Sequence, residues 1–244
     1  MKTYKFIFCV LILITCLGCN SWLITPNPEQ SQNYIVVPDS IYPASDIVIP
    51  NHSEWTKGHY RERIKQFKNE PLRKGDIVLI GNSITEGGGA WDQRLKLPNV
   101  RNRGISGDIT DGVIERLGEI CYYKPSSVFI LIGINDLFNP SLTAEYVGQN
   151  ILKIARIIHE KSSHTKIYIQ TLLPTSTKSM IPKIREVNDI LKKNTTLKTY
   201  KLIDLHLLFA NEKDLIKAEY TTDGLHLSEN GYKRWCDCIN KFIK

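Results

Sequence analysis

The stretch DIVLIGNSITEGGG, residues 76–89, decides the fold. Ile77, Val78, Leu79 and Ile80 form an unbroken apolar run between Gly75 and Gly81, which reads as a strand buried on both faces rather than one alternating between core and water. Directly after it the chain turns small and polar, as a strand-to-helix turn requires, and Ser83 stands on that turn. A hydroxyl there projects above the edge of the sheet. Taken alone, the same serine would serve as an ordinary helix cap.

Outward from this strand the pattern alternates. Upstream, Tyr60, Ile64 and Phe67 set one apolar stripe on a helix over 55–69. Downstream, a weak strand near 99–102 precedes helical spacing at Val113, Ile114 and Leu117, and VFILI (128–132) is a further strand. Val147, Ile151, Ile154 and Ile158 mark a long helix before the strand IYIQTL (167–172). A helix with Ile184, Val187 and Leu191, a strand at LIDL (202–205) and a last helix with Tyr232, Trp235, Ile239 and Phe242 complete the series. Strands and helices in this order are joined by right-handed crossovers. The prediction is a flavodoxin-like three-layer α/β/α fold, its doubly wound parallel sheet of about five strands binding ligand at the strands' carboxyl ends.

With 244 residues, 42% of them apolar, the chain can bury one sizeable core. MKTYKFIFCVLILITCLGC opens with Lys2 and Lys5, runs through an apolar stretch and reaches Gly18 and Cys19, the layout of a lipoprotein export signal. The expected organisation is a signal over 1–18, a Pro-, Ser- and Asn-rich tether over 19–51 and one folded domain over 52–244. Cys19 is the expected lipidation site, which makes the membrane a partner and the bacterial cell envelope the expected location; plain secretion after cleavage and an uncleaved anchor helix are the alternatives. The net charge of +7 is spread among interleaved acids and bases, with no basic run woven through aromatics, so a nucleic-acid partner is not expected.

Cys121, Cys236 and Cys238 lie beyond the signal and Cys19, too few for a disulfide framework, and the last two point to different faces of a helix. His52, His59, His159, His164 and His206 show no metal-ligand spacing, and Gly87 to Gly89 lack the Lys and Ser or Thr of a phosphate loop. Neither a metal nor another cofactor is expected. The three glycines suit a flexible rim, and Trp91 suits either that rim or the core.

Chemistry gathers in four segments placed after strands or in late loops: GNSITEG (81–87), NRGISGD (102–108), GIND (133–136) and DGLH (223–226). In this order they resemble the SGNH hydrolases, the GDSL-type lipases and esterases, from about Gly75 to the C-terminus. The resemblance implies Ser83 as nucleophile, Asp223 and His226 as the rest of a triad, and Ser83, Gly107 and Asn135 as oxyanion-hole donors. One position departs from the family pattern: Asn82 stands where Asp is usual, keeping an acceptor oxygen to cap a turn but lacking the charge.

Physical logic agrees with these roles. A serine hydroxyl is a weak nucleophile until an imidazole accepts its proton, and Asp223, three residues before His226, can fix the ring's tautomer. The longer matches NRGISGD and DGLHLSENGY resemble the branch with carbohydrate acetylesterases and platelet-activating-factor acetylhydrolase-like proteins. The expected activity is therefore serine esterase hydrolysis of a carboxylic ester, with O-acetyl groups on a glycan such as sialic acid or a polysaccharide as substrate. The alternatives are a lysophospholipase or thioesterase with the same triad, and a non-catalytic glycan-binding lipoprotein.

Overall fold

The structure, a computed structural model, describes residues 38–243 apart from residue 198. The expected signal over 1–18 and the lipidation site Cys19 lie outside the described residues.

Five short strands form one parallel sheet: β1 (Ile77–Gly81), β2 (Val100–Gly104), β3 (Ser127–Leu131), β4 (Lys166–Gln170) and β5 (Lys201–Ile203). Their order is β2-β1-β3-β4-β5, the doubly wound arrangement predicted from the alternating pattern. Every residue of β1 and β3 is buried, which is why these strands carry continuous apolar runs. Strand order reverses beside β1, and Gly81 lies level with Gly104 of β2 and Leu131 of β3. The segments following those three strands therefore leave the sheet side by side at one edge.

The helices, in chain order, are α1 (Glu54–Asn69), α2 (Ser83–Glu86), α3 (Trp91–Leu95), α4 (Thr110–Glu115), α5 (Gly118–Tyr123), α6 (Ile134–Phe138), α7 (Ala144–Lys161), α8 (Ile181–Lys193), α9 (Leu205–Phe209) and α10 (Glu229–Ile243). The helical spacing at Val113, Ile114 and Leu117 resolves into two short helices rather than one, because the chain leaves helical geometry at Arg116 (φ −108°). The strand read at 202–205 stops at Ile203, since Asp204 turns out of the sheet and its carboxylate caps α9 by accepting the Leu207 N–H. Trp91 belongs to the core, 1% exposed, with its indole N–H donating to the Thr85 carbonyl and its ring edge-on to that of Trp235.

The stripe Tyr60, Ile64 and Phe67 of α1 faces a second apolar cluster that includes Ile105 and Ile109 of the loop after β2. Tyr42 and Ile49 complete this cluster. Residues 38–50, which the sequence places in the tether, thus include a stretch that packs against α1.

Beneath the loop after β2 lies a buried ion pair. The Arg116 guanidinium donates to Asp108 at 3.0 Å, to the Arg103 carbonyl at 2.7 Å and to the Gly81 carbonyl at 3.0 Å, with both charged side chains almost fully enclosed. His52 meets the other Asp108 oxygen at 3.1 Å. One cation thereby joins the ends of β1 and β2 to the loop between β2 and α4. Removing it would leave a carboxylate buried without its main partner, so Arg116→Met is expected to cost about 3–5 kcal/mol. Urea unfolding of the two proteins checks this; a loss below about 1 kcal/mol would show the pair to be dispensable.

Candidate active site

β1 ends at Gly81, and Asn82 makes the turn with its side chain buried and its Oδ1 accepting the Ile84 N–H at 3.1 Å. Asn82 is therefore the cap of α2, and Ser83 is left at the first position of the helix, half-buried at the sheet edge. From the far end of the chain, the Tyr232 hydroxyl of α10 donates to the Ile84 carbonyl at 3.0 Å. That contact ties the nucleophile turn to the element that follows His226.

The loop carrying His226 is pinned by its own backbone. The His226 carbonyl accepts from the Thr221 hydroxyl at 2.7 Å and from the Thr222 N–H at 3.0 Å, and the Gly224 carbonyl accepts the Ser176 N–H at 2.8 Å. Gly224 sits at φ +88°, where a side chain would be strained and a Cβ would overlap the Ser176 hydroxyl. So held, the Ser83 hydroxyl donates to His226 Nε2 at 3.0 Å, and His226 Nδ1–H donates to Asp223 Oδ2 at 2.7 Å. Asp223 Oδ1 accepts the Leu225 and His226 amides at 2.9 and 2.7 Å. The hydrogen bond from the His226 ring, followed by that from the His226 amide, holds the Asp223 carboxyl down to about 2. It is ionised throughout the neutral and mildly acidic range.

Three N–H donors face this edge without protein acceptors among the described residues. The amides of Ser83 and Gly107 are two of them. The third belongs to Asn135, at the start of α6, which spends one Nδ2 hydrogen on the Asp108 carbonyl at 2.8 Å and keeps the other. Gly107 adopts φ +79°, and a Cβ there would stand 2.5 Å from Thr56 Oγ1, so both conformation and space demand glycine. The strand register places all three after β1, β2 and β3, on the side of Ser83.

Residues that the sequence reading did not single out hold this frame. Asp108 follows Gly107 and is fixed by Arg116 and His52. Asp136 follows Asn135, is fully buried, and accepts the Thr110 amide at 3.0 Å and the Thr110 hydroxyl at 2.5 Å. Burial raises its carboxyl to about 6, the Thr110 hydrogen bonds offsetting only part of the desolvation. Glu86 accepts from His59 Nε2 at 2.9 Å, from the Ser106 hydroxyl at 2.7 Å and from the Ser106 amide at 2.5 Å. Burial would raise Glu86, but those hydrogen bonds outweigh it and its carboxyl lies below the usual range. Each acid stands inside one of the four quoted segments; what sequence did not reveal was the distant partner of each.

A small apolar cavity lies beside the site, and the opposite side is open. This cavity of about 10 Å³, room for about one water, is walled by Ile84, Leu131, Ile134, Leu172 and Leu225. Three of those are chain neighbours of Ser83, Asn135 and His226. On the other side the His226 and Asp223 side chains remain 42% and 53% exposed.

Among known proteins, the GDSL-like Lipase/Acylhydrolase family model matches residues 79–234. Platelet-activating factor acetylhydrolase IB subunit alpha2 of Rattus norvegicus is 28% identical over 203 residues, covering 80% of this chain and 86% of the relative. An N-acylneuraminate cytidylyltransferase of Escherichia coli O18:K1:H7 is 29% identical over 177 residues, which cover 70% of this chain and 41% of that protein. Among solved structures, a variant of an acetyl-xylooligosaccharide esterase from Geobacillus stearmophilus superposes with a TM-score of 0.59 at 19% identity, over 70% of this chain and 95% of that one.

The buried Asp136 makes stability depend on pH in a definite direction. Its folded value, about 6, lies above the ordinary carboxylate value of 3.8, so the folded state holds the proton more tightly. This contribution is present in full below about pH 4 and is lost as pH rises through 6. Asp136→Asn changes stability by a constant but removes the slope. The variant should therefore gain on the wild type by a few kcal/mol between pH 4 and 7, since each tenfold change in proton affinity is worth about 1.4 kcal/mol. Urea titrations at both pH values measure that difference; a difference that does not change with pH would mean Asp136 is ionised in the folded protein at pH 4.

Proposed function

As a member of the GDSL-like lipase/acylhydrolase family the chain is an ester hydrolase, and we propose that it is a serine esterase removing small acyl groups, foremost O-acetyl, from carbohydrates. The observation that carries the proposal is the unbroken hydrogen-bonded line from Asp223 through His226 to Ser83. Ser83 Oγ attacks the ester carbonyl carbon as His226 Nε2 takes its proton, and Asp223 stabilises the imidazolium. The carbonyl oxygen, now anionic, is met by the Ser83 and Gly107 amides and by Asn135 Nδ2. The carbon–oxygen bond then breaks and the alcohol leaves with the proton from His226. Water, deprotonated by the same nitrogen, attacks the acyl-Ser83, releasing the acid and regenerating the hydroxyl.

The surroundings of the site support the choice of acyl group and alcohol. The small apolar cavity whose walls include the chain neighbours of Ser83, Asn135 and His226 favours a small acyl group over a large one, and the open side beside His226 suits a bulky alcohol. Two relatives are named for acetyl removal, an acetylhydrolase and an esterase of acetylated xylo-oligosaccharides, and a third is named for N-acylneuraminate, a sugar. A lipid alcohol is the second reading, favoured by the platelet-activating-factor name; a long-chain fatty acyl group finds no matching space in the cavity.

Acetate release from acetylated xylo-oligosaccharides, 9-O-acetyl-N-acetylneuraminic acid and platelet-activating factor tests the choice. The sugar esters are expected to be cleaved, with turnover lowered about 10⁴-fold or more in Ser83→Ala and about 10²- to 10³-fold in Asn135→Ala. Preference for long-chain nitrophenyl esters over the acetate would sink the small-acyl assignment. We further propose that Cys19 anchors the chain to the cell envelope, supported by the charged, apolar and small-residue sequence before it. Metabolic labelling with a fatty acid should mark the wild type and not Cys19→Ser; equal labelling of both would remove the anchor.

A further inference from the structure

Trp55 is out of place for a tryptophan. Trp91 and Trp235 are 1% and 0% exposed, whereas Trp55 leaves 63% of its surface in water. It is nevertheless held. Its ring lies flat against His59, with centroids 4.9 Å apart and planes 14° from parallel, and His59 Nε2 donates to Glu86 at 2.9 Å. The same Glu86 carboxylate takes the hydroxyl and amide of Ser106, the residue before Gly107. On the other flank Thr56, next to Trp55, abuts the space where a Gly107 Cβ would stand. A rigid aromatic surface, one face covered by His59, thus adjoins the oxyanion loop and shares a carboxylate with it.

We propose that Trp55 and His59 form the subsite for the sugar ring that carries the ester, so that Trp55 is a specificity-determining residue. The inference deepens the carbohydrate reading above and rests on it. A pyranose presents a face of C–H bonds, which packs on an indole, and a rim of hydroxyls, which need polar partners. The stack supplies both: Trp55 gives the flat face, and His59 Nδ1 has no partner among the described residues. A quaternary ammonium headgroup would instead call for several aromatic faces around one cation. Only one face is open here, and the Arg63 guanidinium, 3.3 Å from Glu86, adds a like charge beside it.

The test uses the full-length protein. Trp55→Ala should lower the ratio of kcat/KM for acetylated xylotetraose to kcat/KM for 4-nitrophenyl acetate about tenfold or more, chiefly through KM, and Trp55→Phe should restore most of it. Calorimetric titration of Ser83→Ala with xylotetraose and with N-acetylneuraminic acid should show binding to at least one, weakened about tenfold or more when Trp55→Ala is added. A wild type that cleaves sugar esters and a Trp55→Ala variant with an unchanged ratio would overturn the subsite while leaving the carbohydrate reading intact. A wild type that cleaves only the nitrophenyl ester would remove that reading instead. In that case calorimetry decides the subsite: no binding of either sugar overturns it.

Discussion

The buried pairing of Arg116 with Asp108 is the constraint on which the active edge of the sheet depends. A parallel sheet aligns its strands but leaves the segments beyond them without partners, and here three such segments are held side by side. The guanidinium joins two of them by taking the backbone carbonyls of Gly81 and Arg103, and it fixes the third side of the loop through Asp108. Asn135 then donates to the Asp108 carbonyl, bringing the segment after β3 into the same frame. Burying two charges is costly, and in an interior that needed only stability an apolar cluster would serve as well. What the ion pair adds is direction: five N–H donors in a fixed fork reach several acceptors at once.

Acidic side chains near the site behave differently because their surroundings differ. Asp223 is more than half exposed and surrounded by donors, and it is held ionised. Asp136 is enclosed, with Thr110 as its chief donor, and its proton is retained up to about pH 6. Glu86 lies between them in exposure, kept charged by His59 and Ser106. The first accepts a hydrogen bond from the His226 ring, while the other two shape the loops that carry Asn135 and Gly107.

Much of this is legible in the residues alone. Continuous apolar runs such as Ile77 to Ile80 mark strands covered on both faces, and glycine-bearing polar segments directly after them mark the edge where ligands bind. Long-range pairing is not legible: Arg116, in a stretch with helical spacing, looks like any solvated charge, and nothing in the chain near Asp108 says that it is enclosed. The same holds for Tyr42 and Ile49, which read as part of a tether because their neighbours are prolines and small polar residues, although their side chains complete the cluster under α1. In the sequence His59 invites only a metal reading, and Trp55 gives no signal because exposure is a property of the folded surface. Periodicity reports which side of an element is apolar; it carries no information on which distant group will meet a given charge.

Ser83 and His226 are 143 residues apart in the chain yet joined by one hydrogen bond. During synthesis, β1 to β3 and the loops that bear Gly107 and Asn135 emerge long before His226 does. At the roughly 5–20 residues per second of translation, a nascent chain would carry Ser83 for about 7–30 seconds before His226 could reach it. The Ser83–His226 contact is thereby withheld until the sheet is complete, a delay written into the order of the segments along the polypeptide.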